Sequence, residues 1–160
     1  MSDATGAPKP CSRVLPPFWF LLAAAAAVGL HLALPVADLV PPPWNLVGLA
    51  LIAVGLGLDV AAASMFRSAR TPLRPTERPT ALVTGGIFRL SRNPMYLGMV
   101  VVLAGLAVTL GSTTPWAAPL VFAFWIDHCF IRPEERAMEA LFGDSFREYR
   151  ARVQRWIGTS

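Results

Sequence analysis

The chain has 160 residues, 54% hydrophobic and 15% charged, with a net charge of +4 and a mean hydropathy of +0.51. Soluble domains average about 45–50% apolar and about 25% charged residues. The composition therefore excludes a disordered chain, a disulfide scaffold (the only cysteines are Cys11 and Cys129) and an ordinary soluble globule. What it leaves is one small integral membrane domain over residues 1–160.

The first apolar run, Val14 to Ala37, holds 24 residues without a charge, enough for a helix crossing a bilayer that needs about 20. It predicts a span over about 15–37, with Trp19 at headgroup depth. A cleaved leader is the poorer reading, because the run is long and Pro35-Val36-Ala37 is a weak cleavage site. Pro41-Pro42-Pro43 breaks the chain, since proline lacks the amide donor. A second span is then predicted over about 44–66, beginning near Trp44 and interrupted only by Asp59. The third run, Asn93 to Ile126, has 34 uncharged residues, too many for one helix and just enough for a hairpin. Gly111-Ser112-Thr113-Thr114-Pro115 is its natural turn, giving spans of about 95–110 and 116–131.

The basic residues set orientation. Lys9 and Arg13 precede the first span, six arginines from Arg67 to Arg92 separate the second from the third, and six from Arg132 to Arg155 follow the fourth. The two remaining turns carry none. Under the positive-inside rule the expected fold is an all-α, polytopic membrane protein: four transmembrane helices, both termini cytoplasmic, and a cytoplasmic C-terminal helical segment. The positive surplus is thus topological and does not call for nucleic acid. One lysine against thirteen arginines, with abundant alanine and proline, points to a GC-rich bacterial genome and so to a bacterial inner membrane.

Two cytoplasmic stretches can carry chemistry. Ser68 to Leu90 is polar, Pro-rich and long for a connection. Pro133 onward predicts two short helices, about 133–142 and 144–157, with Glu134 and Glu135 suiting the first turn and Gly143 the break. In the second, Phe146, Tyr149, Val153, Trp156 and Ile157 would share one helical face, making it amphipathic and basic.

Several residues have a bland reading beside a functional one. Gly55-Leu56-Gly57 imitates a nucleotide fingerprint but lies inside an apolar span, where close helix packing explains it better. Asp59, at membrane depth, is expected to pair with Arg67 or an arginine of the third helix, with a ligand role as the alternative. His31 reads as a helix-contact or near-midspan polar residue, and both cysteines as non-catalytic thiols outside any disulfide, in a reducing compartment. Asp127 and His128 are either interfacial caps or polar walls of a cavity. Ser91-Arg92-Asn93-Pro94-Met95-Tyr96-Leu97-Gly98 and Arg132-Pro133-Glu134-Glu135-Arg136 stand at the two feet of the hairpin, hence on one side of the membrane and within side-chain reach.

Arg92-Asn93-Pro94-x-Tyr96-x-Gly98, a hydrophobic hairpin, Pro133-Glu134-Glu135, and then Phe142-Gly143-x-x-Phe146-x-x-Tyr149-x-x-x-Val153-x-Arg155-Trp156 together resemble the isoprenylcysteine carboxyl methyltransferase family, whose core phospholipid methyltransferases share. The resemblance covers Gly85 to Ile157. It implies methyl transfer from S-adenosylmethionine, held at the cytoplasmic side, to a lipophilic or lipid-linked acceptor entering from the bilayer. Glu134 and Glu135 would accept from the cofactor's ammonium or ribose. Arg92 or a C-terminal arginine such as Arg155 would pair its carboxylate, and Tyr96, Tyr149 or Trp156 would stack on adenine or face the sulfonium. Arg92 and Asn93 would act at the reacting end, and His128 or Asp127 would receive a proton from an amine or thiol. Asn93 stands where prenylcysteine enzymes have His, so it can only hydrogen-bond. Phe146 stands where Tyr is frequent. A phospholipid amine N-methyltransferase is the rival within the class; a non-catalytic adaptor or small transporter is the rival outside it.

Overall fold

The computed structural model describes residues 14–71 and 80–159. Lys9, Cys11, Arg13 and the central part of the Pro-rich connection, with Arg74 and Arg78, lie outside them. Among the described residues the architecture is all-helical: α1 (Pro16–Ala33), α2 (Val47–Ser68), α3 (Pro94–Leu110), α4 (Ala117–Ile126), α5 (Arg132–Phe142) and α6 (Asp144–Arg152). Short 3₁₀ turns at Trp44–Leu46, Gly86–Arg89 and Thr114–Trp116 lead into α2, toward α3 and into α4. α1 and the continuous Trp44–Ser68 helix are long and apolar enough to cross a membrane. α3 is apolar but one residue shorter than α1.

The breaks fall where backbone chemistry demands them. Pro94 occupies the first turn of α3, where its missing amide costs nothing. Gly111 ends that helix in the left-handed region, at φ 81°. The hairpin turn then pairs with the connection between α1 and α2: Thr113 N donates to Ala37 O at 2.9 Å and Leu39 N to Gly111 O at 2.8 Å. His31 reaches the same turn, its Nδ1 2.8 Å from Ser112 Oγ, which is the contact role expected of it.

α2 packs along α3 through glycines on both helices. Gly48 lies against Gly105 and Thr109, and Gly55 against Gly98 and Val102, so that a Cβ at any of these four glycines would meet backbone of the other helix. The seven-residue spacing matches on both helices and keeps the seam in register. Gly57, in contrast, faces open space, so only part of the glycine motif serves packing. Asp59 departs from expectation. Among the described residues it makes no ion pair; its Oδ1 is buried without a partner and its carboxylate lies against Gly98. The missing Cβ of Gly98 leaves the room that the carboxylate occupies against α3.

The C-terminal region corrects two boundaries. The predicted fourth span and the helix after it are not separate: α4 continues through a π turn, Asp127–Ile131, directly into α5. Pro133 sits in the first turn of α5 without starting a new chain direction. The second correction is the predicted helix over 144–157, which stops at Arg152. Val153 is extended, at φ −127° and ψ 131°, and the chain turns back so that Gln154 N donates to Gly158 O at 2.9 Å. Phe146, Tyr149 and Val153 are buried, packed with Ala62 and Phe88. Trp156 belongs instead with Tyr96, Phe122, Ile126 and Phe130.

Candidate functional site

The site forms where the N-terminal ends of α1 and α3 meet α5 and the chain end, at the arginine-rich end of the bundle. The returning C-terminal strap fixes the start of α3. Arg92 N donates to Gln154 O (3.1 Å) and Gly158 N to Leu90 O (3.0 Å). Ser91, fully buried, accepts from Asn93 N at 3.0 Å and donates to Arg155 O at 3.2 Å. Asn93 Nδ2 donates to the same carbonyl at 3.2 Å. Asn93 is therefore a strap-holding residue in this geometry, consistent with an amide that cannot act as a base.

Around this strap an ion-pair network closes. Arg92 donates from Nε (3.1 Å) and Nη2 (2.8 Å) to Glu135 Oε1, and its Nη1 donates to Arg150 O (3.0 Å) and Val153 O (2.9 Å). The Arg92 and Glu135 side chains are each only 9% exposed, so the pair is desolvated and removal of either partner strands a charge. Arg155 adds a two-pronged contact, Nε and Nη2 to Glu135 Oε2 at 3.2 and 2.6 Å, and its Nη1 reaches Asp127 Oδ1 at 3.0 Å. Hydrogen bonds to Glu135 hold the Arg155 guanidinium firmly protonated. Asp127 also accepts from Arg132 Nε at 2.7 Å. The π turn makes this possible by placing Asp127 and α5 on a shared face; single π turns occur often at functional sites.

Glu134 lies outside the clamp. Its Oε1 accepts from Tyr96 Oη at 2.7 Å. Burial, with the neighbouring Glu135 charge, pushes its carboxyl up to about 7, against the lowering effect of the tyrosine hydrogen bond. The adjacent glutamates thus have different environments: Glu135 is saturated by two guanidinia, while Glu134 has one neutral partner and titrates near neutrality. Beside them a charged cleft of about 240 Å³ is lined by Arg132, Glu135, Arg136, Glu139, Arg150 and Arg155.

Two predicted residues stand apart. Tyr149 Oη donates to Phe88 O at 2.6 Å; burial pushes its phenol up, and it fastens α6 to the connection before α3. Phe146 meets it edge-on at 6.4 Å and is itself buried. His128 is exposed and stacks on Phe124, with centroids 6.4 Å apart and planes 5° from parallel, away from the network. Sequence reasoning placed Ser91 in the cluster at the start of α3 but gave it no role, and it did not foresee the strap Val153–Thr159. Gly158, at φ 125°, is the one local signal of that reversal. Among the described residues no group of three His, Cys, Asp or Glu is placed to hold a metal ion.

A family model described as phospholipid methyltransferase matches residues 44–145, which takes in α2 to α5 and both feet of the hairpin. An uncharacterized protein of Haemophilus influenzae is 33% identical over 63 residues, 39% of this chain and the whole of that protein.

Proposed function

We propose, since the chain belongs to the phospholipid methyltransferase family, that it transfers a methyl group from S-adenosylmethionine to a lipophilic acceptor at the arginine-rich membrane face. In this reading α1 to α4 are four spans with both termini in the cytoplasm, and the strap and α5–α6 lie on the cytoplasmic surface. The observation that carries the proposal is the Glu134–Tyr96 pair beside the Arg92–Glu135–Arg155 clamp, at the foot of an apolar hairpin.

The donor set suits the cofactor. An amino-acid end bearing one ammonium and one carboxylate needs charges of both signs close together, and the cleft wall offers Arg132, Arg136 and Arg150 beside the saturated Glu135. Glu134 is buried against Tyr96 and does not line that wall; when ionised, and oriented by Tyr96, it accepts from an ammonium that reaches past the cleft. Arg150, at the cleft wall, pairs the carboxylate. The rings of Tyr96 and Trp156, packed in one cluster, offer faces to a cation or to adenine. Glu135, Arg92 and Arg155 hold α3, α5 and the strap in place, and Asn93 holds the strap carbonyl. When bound, S-adenosylmethionine supplies an electrophilic methyl group, and displacement from it needs positioning more than a nucleophilic side chain. For an amine or thiol acceptor, His128 or Asp127 helps receive the released proton, His128 from its exposed place outside the clamp; a carboxylate acceptor needs no base.

The resemblance to isoprenylcysteine enzymes and the family's own description differ in the acceptor. The family description favours a phospholipid amine. Turnover of phosphatidylethanolamine measured beside a prenylcysteine analogue separates the two. The cofactor is tested by titrating the detergent-purified protein with S-adenosylhomocysteine in a calorimeter. Binding weakened in Glu134→Gln with its unfolding temperature unchanged supports the site, and no binding by folded wild type overturns methyl transfer in favour of an adaptor or transporter.

A further inference from the structure

α1 and α4 do not close on each other as α2 and α3 do. Between them runs a groove of about 350 Å³ whose lining is wholly apolar. Its sides are small (Ala23 and Ala26 from α1, Ala117 and Ala118 from α4), while the Trp19 and Trp125 rings meet at one end, 5.2 Å apart. Leu22 and Val121 at its rim are exposed, as are Leu21, Leu120 and Phe124 beside it. On a chain this apolar, that surface faces bilayer hydrocarbon. At such depth there is no water to fill an open apolar groove, and a lipid chain is the matter at hand.

The groove also ends beside the site. The helices are antiparallel, so the end bearing Trp19 and Trp125 is the end that enters the π turn and α5. Trp19, Phe20, Ala23 and Ala24 pack against the cluster that contains Tyr96, whose hydroxyl meets Glu134. α1 supplies one whole wall, yet it lies outside residues 44–145, the region that matches the family.

We infer that the α1–α4 groove seats an acyl chain of the acceptor phospholipid, with the headgroup end at Trp19 and Trp125, so that α1 sets which chains the enzyme accepts. The identification of that lipid as the acceptor rests on the methyl-transfer reading; the seating of a chain does not. Occupancy is read by photolabelling: the protein is reconstituted in vesicles containing phosphatidylethanolamine with a mid-chain diazirine, and adducts are mapped by mass spectrometry. Adducts should concentrate on Leu22, Ala26 and Val121, and Ala26→Trp or Val121→Trp, filling the groove from either wall, should remove most of them. Labelling spread evenly onto Val54 and Val60 of α2 would overturn the groove. So would chain-to-chain cross-links at Ala26 in place of lipid adducts, which would give the face to a second copy. The same variants should raise KM for long-chain over short-chain acceptors while S-adenosylhomocysteine binding stays unchanged. Wild type that labels in the groove but binds no S-adenosylhomocysteine would remove the acceptor's identity and leave a lipid site. Even labelling with cofactor binding intact would remove the groove alone.

Discussion

α3 is held by two unlike devices. Along its length the α2 seam closes because atoms are missing: four glycines let backbones touch. At its start the clamp closes because charges are present: one carboxylate sits between two guanidinia, and the strap's carbonyls are tied to Arg92, Ser91 and Asn93. The glycine seam, with the Asp59 carboxylate lying against Gly98, tolerates no added volume. A buried ion network tolerates volume poorly and loss of charge worse. The first belongs at hydrocarbon depth, where unpaired polar groups are expensive; the second belongs where headgroups and water begin. The contrast marks the seam as scaffold and the clamp as the support of a site.

The largest break is expected at the clamp. Glu135→Ala leaves Arg92 and Arg155 facing each other in a desolvated position, and loss of one partner of a buried pair costs about 3–5 kcal/mol. Thermal unfolding in detergent should show that loss together with faster proteolysis of the strap. The seam comes next. Gly98→Ala places a methyl on Asp59 and the Gly55 carbonyl, and overpacking costs about 1–3 kcal/mol; Gly57→Ala, facing open space, should cost nothing and serves as its control.

Glu134→Gln sharpens the comparison, since it should weaken binding without unfolding the protein. Loss of one charge-assisted hydrogen bond is worth about 1.5–3 kcal/mol, or at least tenfold in the Kd of S-adenosylhomocysteine. The pH signature is distinctive. A carboxyl raised to about 7 in the fold binds more protons folded than unfolded between its ordinary range and neutrality, so stability falls as pH rises through that window. Wild type should lose stability relative to Glu134→Gln from about pH 4.5 to 7 and bind the cofactor product more tightly as pH rises through about 7; a flat profile in wild type would refute the assignment. The smallest effect is expected from His128→Ala, which should leave S-adenosylhomocysteine binding unchanged and slow turnover only for amine or thiol acceptors.

The helices and their breaks were legible because each boundary carries a local cause: three prolines before α2, Asn93-Pro94 at α3, Gly111 at its end, Gly143 between α5 and α6. The meeting of Arg92 with Glu135 and of Tyr96 with Glu134 was legible for a topological reason, as a hairpin returns its two feet to one side. What divides the glutamates was not. Which carboxylate is clamped depends on the strap, and the strap is held by contacts more than sixty residues apart, such as Asn93 to Arg155. Periodicity carried the last helix past Arg152, because Trp156 fits the helical spacing although the backbone has already extended. Asp59 was assigned to an arginine by charge alone; a glycine on the facing helix, invisible without register, leaves the room it occupies.

The π turn has a consequence for insertions and deletions. It carries one residue more than a regular helical turn would, and a residue in an α-helix corresponds to about 100° of rotation. The surplus residue is absorbed within the turn, so deleting one residue between Asp127 and Ile131 would leave an unbroken regular helix whose downstream side chains keep their bearings, Glu134 still toward Tyr96 and Glu135 toward Arg92. One residue added to the regular part of α4 without such a turn would instead swing them by about 100°. The turn works as a length reserve between the membrane helix and the site it carries.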